Sequence, residues 1–368
     1  VFLSNSNGLR YAVLLNDPPK LPGKIDFPGV ERGQVRLGRR AGGGEVRLTW
    51  DRLEHVLVAG MTGSGKSSFL RLLVYQALGD GCALMLADRD GVTFPMLANH
   101  PALLAPIAQT PDEMHAIIAR GLGECDAHAA QYAQVDGFPD NLSEYNALAQ
   151  EQGAPILPRL VVVLDEFNSA AVATGGANGS LTTAAAELGW RGRKFGVTLI
   201  FAAQDFIKGI VGRVRDQAAT VCFRVQSAAA ARAVGCADAV KIPAQRPGLA
   251  ITDRWGALQT YYLDKQALID VGTRPGPALS AEERALIKAA MEGNQGKMTL
   301  GFLEDAGLGH REARDLLEDW RVRGWLEKDA SRGNAHVITR KLRDLLPNRQ
   351  TCQTLPNPTN ADKPGGER

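Results

Sequence analysis

The chain has 368 residues, enough for about two domains, one large and one small. Hydrophobic residues at 45% and charged residues at 22% match an ordinary globular composition, which excludes a wholly disordered chain. With 42 Lys and Arg against 40 Asp and Glu the net charge is only +2, so any contact with nucleic acid must come from locally concentrated basic residues.

Residues 1–45 mix short strand-like runs (Tyr11–Leu15, Gln34–Leu37) with turn residues such as Asp17-Pro18-Pro19, Pro22-Gly23 and Gly42-Gly43-Gly44. They read as an irregular lead-in. From His55 the pattern changes. His55–Ala59 is a short apolar strand, followed by a glycine-rich loop and by Ser67–Leu78 with apolar residues at helical spacing. Further apolar strands are expected at Cys82–Ala87, Leu160–Leu164, Thr198–Ala203 and Thr220–Val225, with helices such as Pro111–Leu122 and Leu181–Arg193 between them. Short buried strands alternating with helices predict an α/β domain, a mostly parallel sheet flanked by helices, over 46–271.

Gly272-Thr273-Arg274-Pro275-Gly276-Pro277 reads as part of a linker at 272–279. A small second domain follows at 280–346, with helical patterns at Ala281–Met291, Leu300–Asp305 and Arg311–Arg323 and a hairpin over Trp325–Thr339. The tail, 347–368, holds Pro347, Pro356, Pro358 and Pro364 without apolar periodicity and is expected to be disordered.

No run approaches the roughly 20 apolar residues that span a bilayer, and the N-terminus lacks a basic-then-apolar signal pattern. The five cysteines form no C-x-x-C pair and share no zinc spacing with the six histidines. They read as reduced thiols in a cytosolic protein. The chain opens on Val1 rather than Met, which leaves room for a membrane anchor upstream.

Gly60-Met61-Thr62-Gly63-Ser64-Gly65-Lys66-Ser67, followed by Ser68, fits G-x-x-x-x-G-K-[ST] between a strand and a helix. Such a loop curls so that successive backbone N–H groups face phosphates, and the helix adds its positive end. Lys66 is expected to reach the β- and γ-phosphates of ATP, and the Ser67 hydroxyl to ligate Mg²⁺. Arg159–Phe167 supplies the partner, an apolar strand ending in acids. Asp165 is placed to hold Mg²⁺ through water, and Glu166 to polarise the attacking water. Glu beside Asp argues for hydrolysis rather than passive binding. Gln204, ending another strand, can hydrogen-bond the γ-phosphate or the lytic water. On position alone, an ordinary polar strand end is an equal reading.

The stretch His55–Ser67 resembles the phosphate loop of the FtsK/SpoIIIE family of DNA translocases, and other stretches agree in order. Leu84–Val92 is similar to the family's strand and Asp-Pro-Lys-like turn, Tyr145-Asn146 to its Tyr-Asn pair, and Val161–Phe167 to its Asp-Glu-Phe segment. Arg191–Gln204 resembles its Arg-x-x-Gly helix end and Ala-Thr-Gln strand, with Ala203 where Thr is usual. Phe223–Gly235 resembles the next strand and the Asp-Ser-Arg-like stretch, with Arg232 at the arginine.

The resemblance implies a RecA-like P-loop NTPase that forms a hexameric ring and pumps double-stranded DNA with ATP. It implies that Gln204 senses the γ-phosphate and that a neighbouring subunit supplies an arginine finger, with Arg193 or Arg232 as candidates. Asp205–Arg215 lacks the Arg-Pro that commonly follows the sensor glutamine, but Lys208, Arg213 and Arg215 are placed to meet phosphates in a pore. By pattern the end domain is a winged helix, and it resembles the small domain that follows the family's motor. Ala313, Leu316, Leu317 and Trp320 would face its core, leaving Arg311 and Arg314 outside, with Arg332 at the wing tip. Glu312, Asp315, Glu318 and Asp319 dilute that basic face, and winged helices also dock proteins.

The leading expectation is therefore a bacterial cytoplasmic ATPase that moves chromosomal, plasmid or mobile-element double-stranded DNA. The alternative is a conjugation or secretion ATPase moving protein or protein–DNA cargo; a nucleotide-switched regulator is a third reading, which Glu166 and Gln204 oppose.

Overall fold

Side-chain alternation along a few buried strands decides the architecture. The computed structural model describes residues 2–4, 10–12, 21–206, 208–212, 215–273, 281–322, 325–329, 335–339 and 342. The chain forms two compact units, Val1–Pro275 and Gly276–Arg368.

In the first unit, β1 (Phe2–Ser4) and β2 (Arg10–Ala12) make an antiparallel pair. A nine-stranded sheet follows. Its strands are β3 (Gln34–Arg40), β4 (Glu45–Thr49), β5 (His55–Ala59), β6 (Ala83–Ala87) and β7 (Leu160–Leu164). β8 (Val197–Ala203), β9 (Ala218–Cys222), β10 (Leu249–Thr252) and β11 (Gly256–Thr260) complete it. The spatial order is β4-β3-β11-β10-β9-β5-β8-β7-β6. The five strands from β9 to β6 run parallel, and the other four extend the sheet antiparallel on one side.

The parallel strands are buried on both faces, and successive residues feed opposite cores. Leu57, Val162, Leu164, Leu199 and Phe201 pack with the helices Pro111–Tyr132, Phe167–Ala173 and Ser180–Gly192. Val56, Val58, Val161, Val163 and Ile200 pack on the other face with the helix Lys66–Gly79. Each such fully buried aliphatic side chain contributes about 1.5–3 kcal/mol. Parallel strands so covered place all their C-terminal ends along one edge, where ligands bind in open α/β sheets.

Three departures from the sequence reading have local causes. Gln34–Arg40, read as part of an irregular lead-in, is a sheet strand whose Val35 and Leu37 are fully buried on either side of Arg36. The fifth parallel strand ends at Cys222 rather than Val225, because Phe223 and Arg224 turn to hold the glycine-rich loop. Phe223 N–H donates to Ala59 O at 2.8 Å, and Met61 N–H to Arg224 O at 3.0 Å. Gly272, read as the start of a linker, belongs to the helix Lys265–Thr273 and permits close packing: a Cβ there would lie 2.2 Å from Met96 O. Residues 274–279 and 347–368 lie outside the described residues.

The Tyr-Asn pair has a structural task. Asn146 brackets Leu157 with two backbone hydrogen bonds of 2.9 Å, and Tyr145 OH donates to Pro155 O at 3.0 Å. This latch fixes the segment that feeds β7.

The second unit has helices Ala281–Gly293, Leu300–Asp305 and His310–Val322. Its three-stranded antiparallel sheet comprises β12 (Lys297–Met298), β13 (Leu326–Lys328) and β14 (His336–Ile338), in the order β12-β14-β13. Trp320 and Trp325 meet edge to face, 5.9 Å between centroids, in a core with Ile287, Leu303 and Ala313. Among the described residues no helix is long and apolar enough to cross a membrane.

Candidate nucleotide-binding site

β5 ends in the glycine-rich loop, and glycine is required there for space. A Cβ on Gly60 would lie 2.7 Å from both Phe223 Cβ and Ser64 Oγ. Gly65 adopts φ 112°, and a Cβ there would lie 2.7 Å from the amide nitrogen of Gly248. Gly248 N–H in turn donates to Ser64 O at 2.9 Å, so the loop is clasped by the segment leading into β10.

β7 delivers Asp165 and Glu166 beside that loop. Lys66 Nζ donates to Asp165 Oδ1 at 3.0 Å and to Glu166 Oε1 at 2.5 Å. Burial pulls the Lys66 pKa down, but the charge of Asp165 and the bond to Glu166 outweigh it and hold the ammonium above its ordinary value. The other Asp165 oxygen accepts from Thr93 Oγ1 at 2.9 Å. Glu166 has a left-handed backbone, φ 54°, which costs about 1–2 kcal/mol for a residue with a Cβ. Strain of this kind concentrates at functional sites.

Asp88, at the end of β6, shapes the third wall. Its carboxylate accepts from the backbone N–H groups of Val92, Thr93 and Phe94 at 3.3, 2.8 and 2.8 Å. That loop brings Thr93 to Asp165.

These parts enclose a cleft of about 500 Å³, large enough for a nucleotide. Met61, Thr62, Gly63, Gly65, Lys66, Ser67 and Ser68 line it, with Asp165, Glu166 and Gln204. Ser67 and Asp165 offer the hydroxyl and carboxylate that suit Mg²⁺, a cation usually held by one or two protein oxygens plus substrate phosphates and water. Residues that the sequence reading missed also line the cleft: Lys24, Arg71, Gln259 and Tyr262. Lys24 Nζ sits 4.1 Å from the Tyr262 ring centroid. Lys24 lies in the supposed lead-in, and Arg71 and Tyr262 belong to no motif, so no local signal marked them.

The other expected residues lie elsewhere. Arg193 ends the helix before β8, at the edge where the parallel strands begin, and pairs with Glu54 at 2.8 Å. Arg232 is exposed on the helix Ala228–Ala233. Lys208 opens the short helix Lys208–Val211, and Arg215 donates to Ala233 O at 3.4 Å. Arg314 is exposed, whereas Arg311 shares an open groove with Glu282, Glu283, Glu312 and Asp315. Arg213 and Arg332 fall outside the described residues.

Residues 29–207 match the FtsK/SpoIIIE family. A DNA translocase FtsK of Listeria monocytogenes serovar 1/2a (strain ATCC BAA-679 / EGD-e) is 27% identical over 212 residues, covering 54% of this chain and 27% of that protein. One of Sporosarcina ureae is 26% identical over 228 residues, 58% of this chain and 28% of that one. The chain thus spans about a quarter of the length of these curated relatives. Among solved structures, the pCW3 conjugation coupling protein TcpA, monomer form with ATPγS, aligns with a TM-score of 0.58 at 21% identity, over 67% of this chain and 72% of that one. The cytoplasmic domain of the Thermomonospora curvata type VII secretion ATPase EccC aligns with a TM-score of 0.54 at 25% identity, over 70% and 33%. The likeness to TcpA is one of fold.

Proposed function

The chain is a member of the FtsK/SpoIIIE family through residues 29–207, and from that premise we propose that it is an ATPase that drives double-stranded DNA as a ring of copies. The observation that carries this reading is one cleft holding the phosphate loop, the paired acids and Gln204 together.

Lys66 is held by Asp165 and Glu166. ATP offers it stronger partners, the β- and γ-phosphates, and its departure releases both carboxylates. Mg²⁺, when held at Ser67 and Asp165, supplies charge neutralisation on the phosphate oxygens. Glu166 accepts a proton from water as the water oxygen bonds to the γ-phosphorus and the bond to the bridging oxygen breaks, leaving ADP and phosphate. Gln204 hydrogen-bonds the γ-phosphate or that water, and its changed partner alters the segment running to Lys208 and Arg215. Arg193 or Arg232 of a neighbouring copy stabilises the transition-state charge.

On this reading Lys208, Arg213 and Arg215 meet DNA phosphates in the pore, and the ring, a hexamer, multiplies their modest charge. The second unit is read as a winged helix that contacts DNA through Arg311, Arg314 and Arg332. The reading assigns the protein to the bacterial cytoplasm. A second reading, protein or protein–DNA cargo, is favoured by the carboxylates around Arg311, which repel phosphate.

ATP turnover measured with double-stranded DNA, with single-stranded DNA and with neither tests the proposal. Stimulation by the duplex is expected. Turnover indifferent to DNA would move the assignment to protein cargo, and absence of turnover would reject the ATPase.

A further inference from the structure

Arg71 lines the cleft with no hydrogen-bond or ion-pair partner among the described residues. Its Nε is buried with nothing among them to donate to. Burial pushes its pKa down, and the nearby Tyr262, Asp165 and Asp88 offset this only in part. The carboxylates in reach are engaged: Asp88 by three backbone N–H groups, and Asp165 by Lys66, Thr93 and the N–H of Glu166. A half-buried guanidinium whose Nε is shut away from water is costly to leave uncompensated, and an anion placed there relieves that cost.

Helix geometry says which part of a nucleotide would supply one. Arg71 follows Ser67 by four residues and Ser68 by three, so it lies one turn, about 5.4 Å, below them on the same face. Its side chain leans toward the helix N-terminus, which brings the guanidinium up to the level of Ser67 and Ser68. The γ-phosphate end is already served by Lys66, Asp165, Glu166 and Gln204. Of the side chains whose charge acts on Arg71, Tyr262 acts most and Asp165 and Asp88 less, and Lys24 sits over the Tyr262 ring.

We infer that Arg71 is a nucleotide-binding residue that grips the α-phosphate side of the bound nucleotide, next to a nucleoside wall made by Tyr262 and Lys24. The inference rests on the nucleotide reading of the cleft. It makes Arg71 an affinity residue that serves ATP and ADP equally and leaves the hydrolytic step to the acids.

Affinity for MgADP and for MgATPγS, together with melting temperature with and without them, should be measured for the wild type, Arg71→Met and Arg71→Lys. Arg71→Met should weaken both nucleotides about tenfold or more by a common factor, raising KM with kcat little changed. Without nucleotide it should melt no lower than the wild type, because it removes a half-buried charge that has no ion-pair partner among the described residues. Arg71→Lys, which keeps the charge, should fold normally and recover part of the affinity. Wild-type ADP affinity in Arg71→Met overturns the inference. So does a loss confined to MgATPγS, which would put the contact at the γ-phosphate, or a ligand-free melting loss large enough to account for the weaker binding. A wild type that binds neither nucleotide defeats the nucleotide reading itself, and the inference with it.

Discussion

Lys66 Nζ lies 3.0 Å from Asp165 and 2.5 Å from Glu166, so one ammonium offsets two carboxylates in a largely buried place. Lys66→Ala therefore has two separable effects. Turnover should be nearly abolished, because the β- and γ-phosphates lose their cation. The ligand-free protein should also lose on the order of 3 kcal/mol, since truncating one partner of a buried pair leaves the others uncompensated. The raised Lys66 pKa fixes the pH window: its contribution is complete below the unfolded value near 10.5 and fades only as pH climbs through the folded value. Urea unfolding at pH 7.5 alongside steady-state ATPase assays checks both effects. Unchanged turnover would reject the site, and unchanged stability would mean that Lys66 does not hold the acids together.

His55 ties three elements at the start of β5. Its Nε2–H donates to Gly189 O at 2.8 Å, and its Nδ1 accepts from Leu199 N–H at 3.0 Å, which requires the neutral ring. Burial pushes its pKa below the ordinary 6.5, as it does for His100 and His128. The unfolded chain then binds more protons, so the stability from these rings is full above pH 6.5 and is lost as pH falls below it. Chemical denaturation at pH 7.5, 6.5 and 5.5 should show that loss, with a slope of up to about 1.4 kcal/mol per unit for each ring. In His55→Asn the slope should be shallower; an identical slope would mean that His55 does not titrate with unfolding. The ends of β5 and β7 were legible because uninterrupted apolar runs stop at Gly60 and at Asp165, and the phosphate site sits at those stops. The antiparallel extension was not. β10 and β11 carry Thr252, Gln259 and Thr260, polar residues whose burial depends on partners distant in sequence. Arg71 was hidden for the same reason, since a cation at helical spacing reads as solvated until the cleft around it is known.

At the scale of the whole molecule, the proposed ring has one copy complete another's site. Arg193 stands where the parallel strands begin and the phosphate loop where they end, five residues or about 17 Å apart. It cannot reach its own nucleotide, so any catalytic role is in trans across the proposed ring. Its side chain is 63% exposed, and its pair with Glu54 is of the surface kind, worth about 1 kcal/mol or less. Glu54 also pairs with Arg254 at 3.2 Å, so Arg193→Ala leaves no bare carboxylate. The variant should fold and bind ATP normally but fail to hydrolyse it, because a finger contributes roughly 10³–10⁵ in rate. Arg193→Ala and Lys66→Ala chains, each inactive alone, are then mixed. Assemblies that place an intact phosphate loop against an intact Arg193 should recover turnover, with a dependence on mixing ratio that follows the frequency of such interfaces. Co-assembly without recovery would remove Arg193 from the reaction and transfer the role to Arg232, which the same mixing experiment with Arg232→Ala would then test.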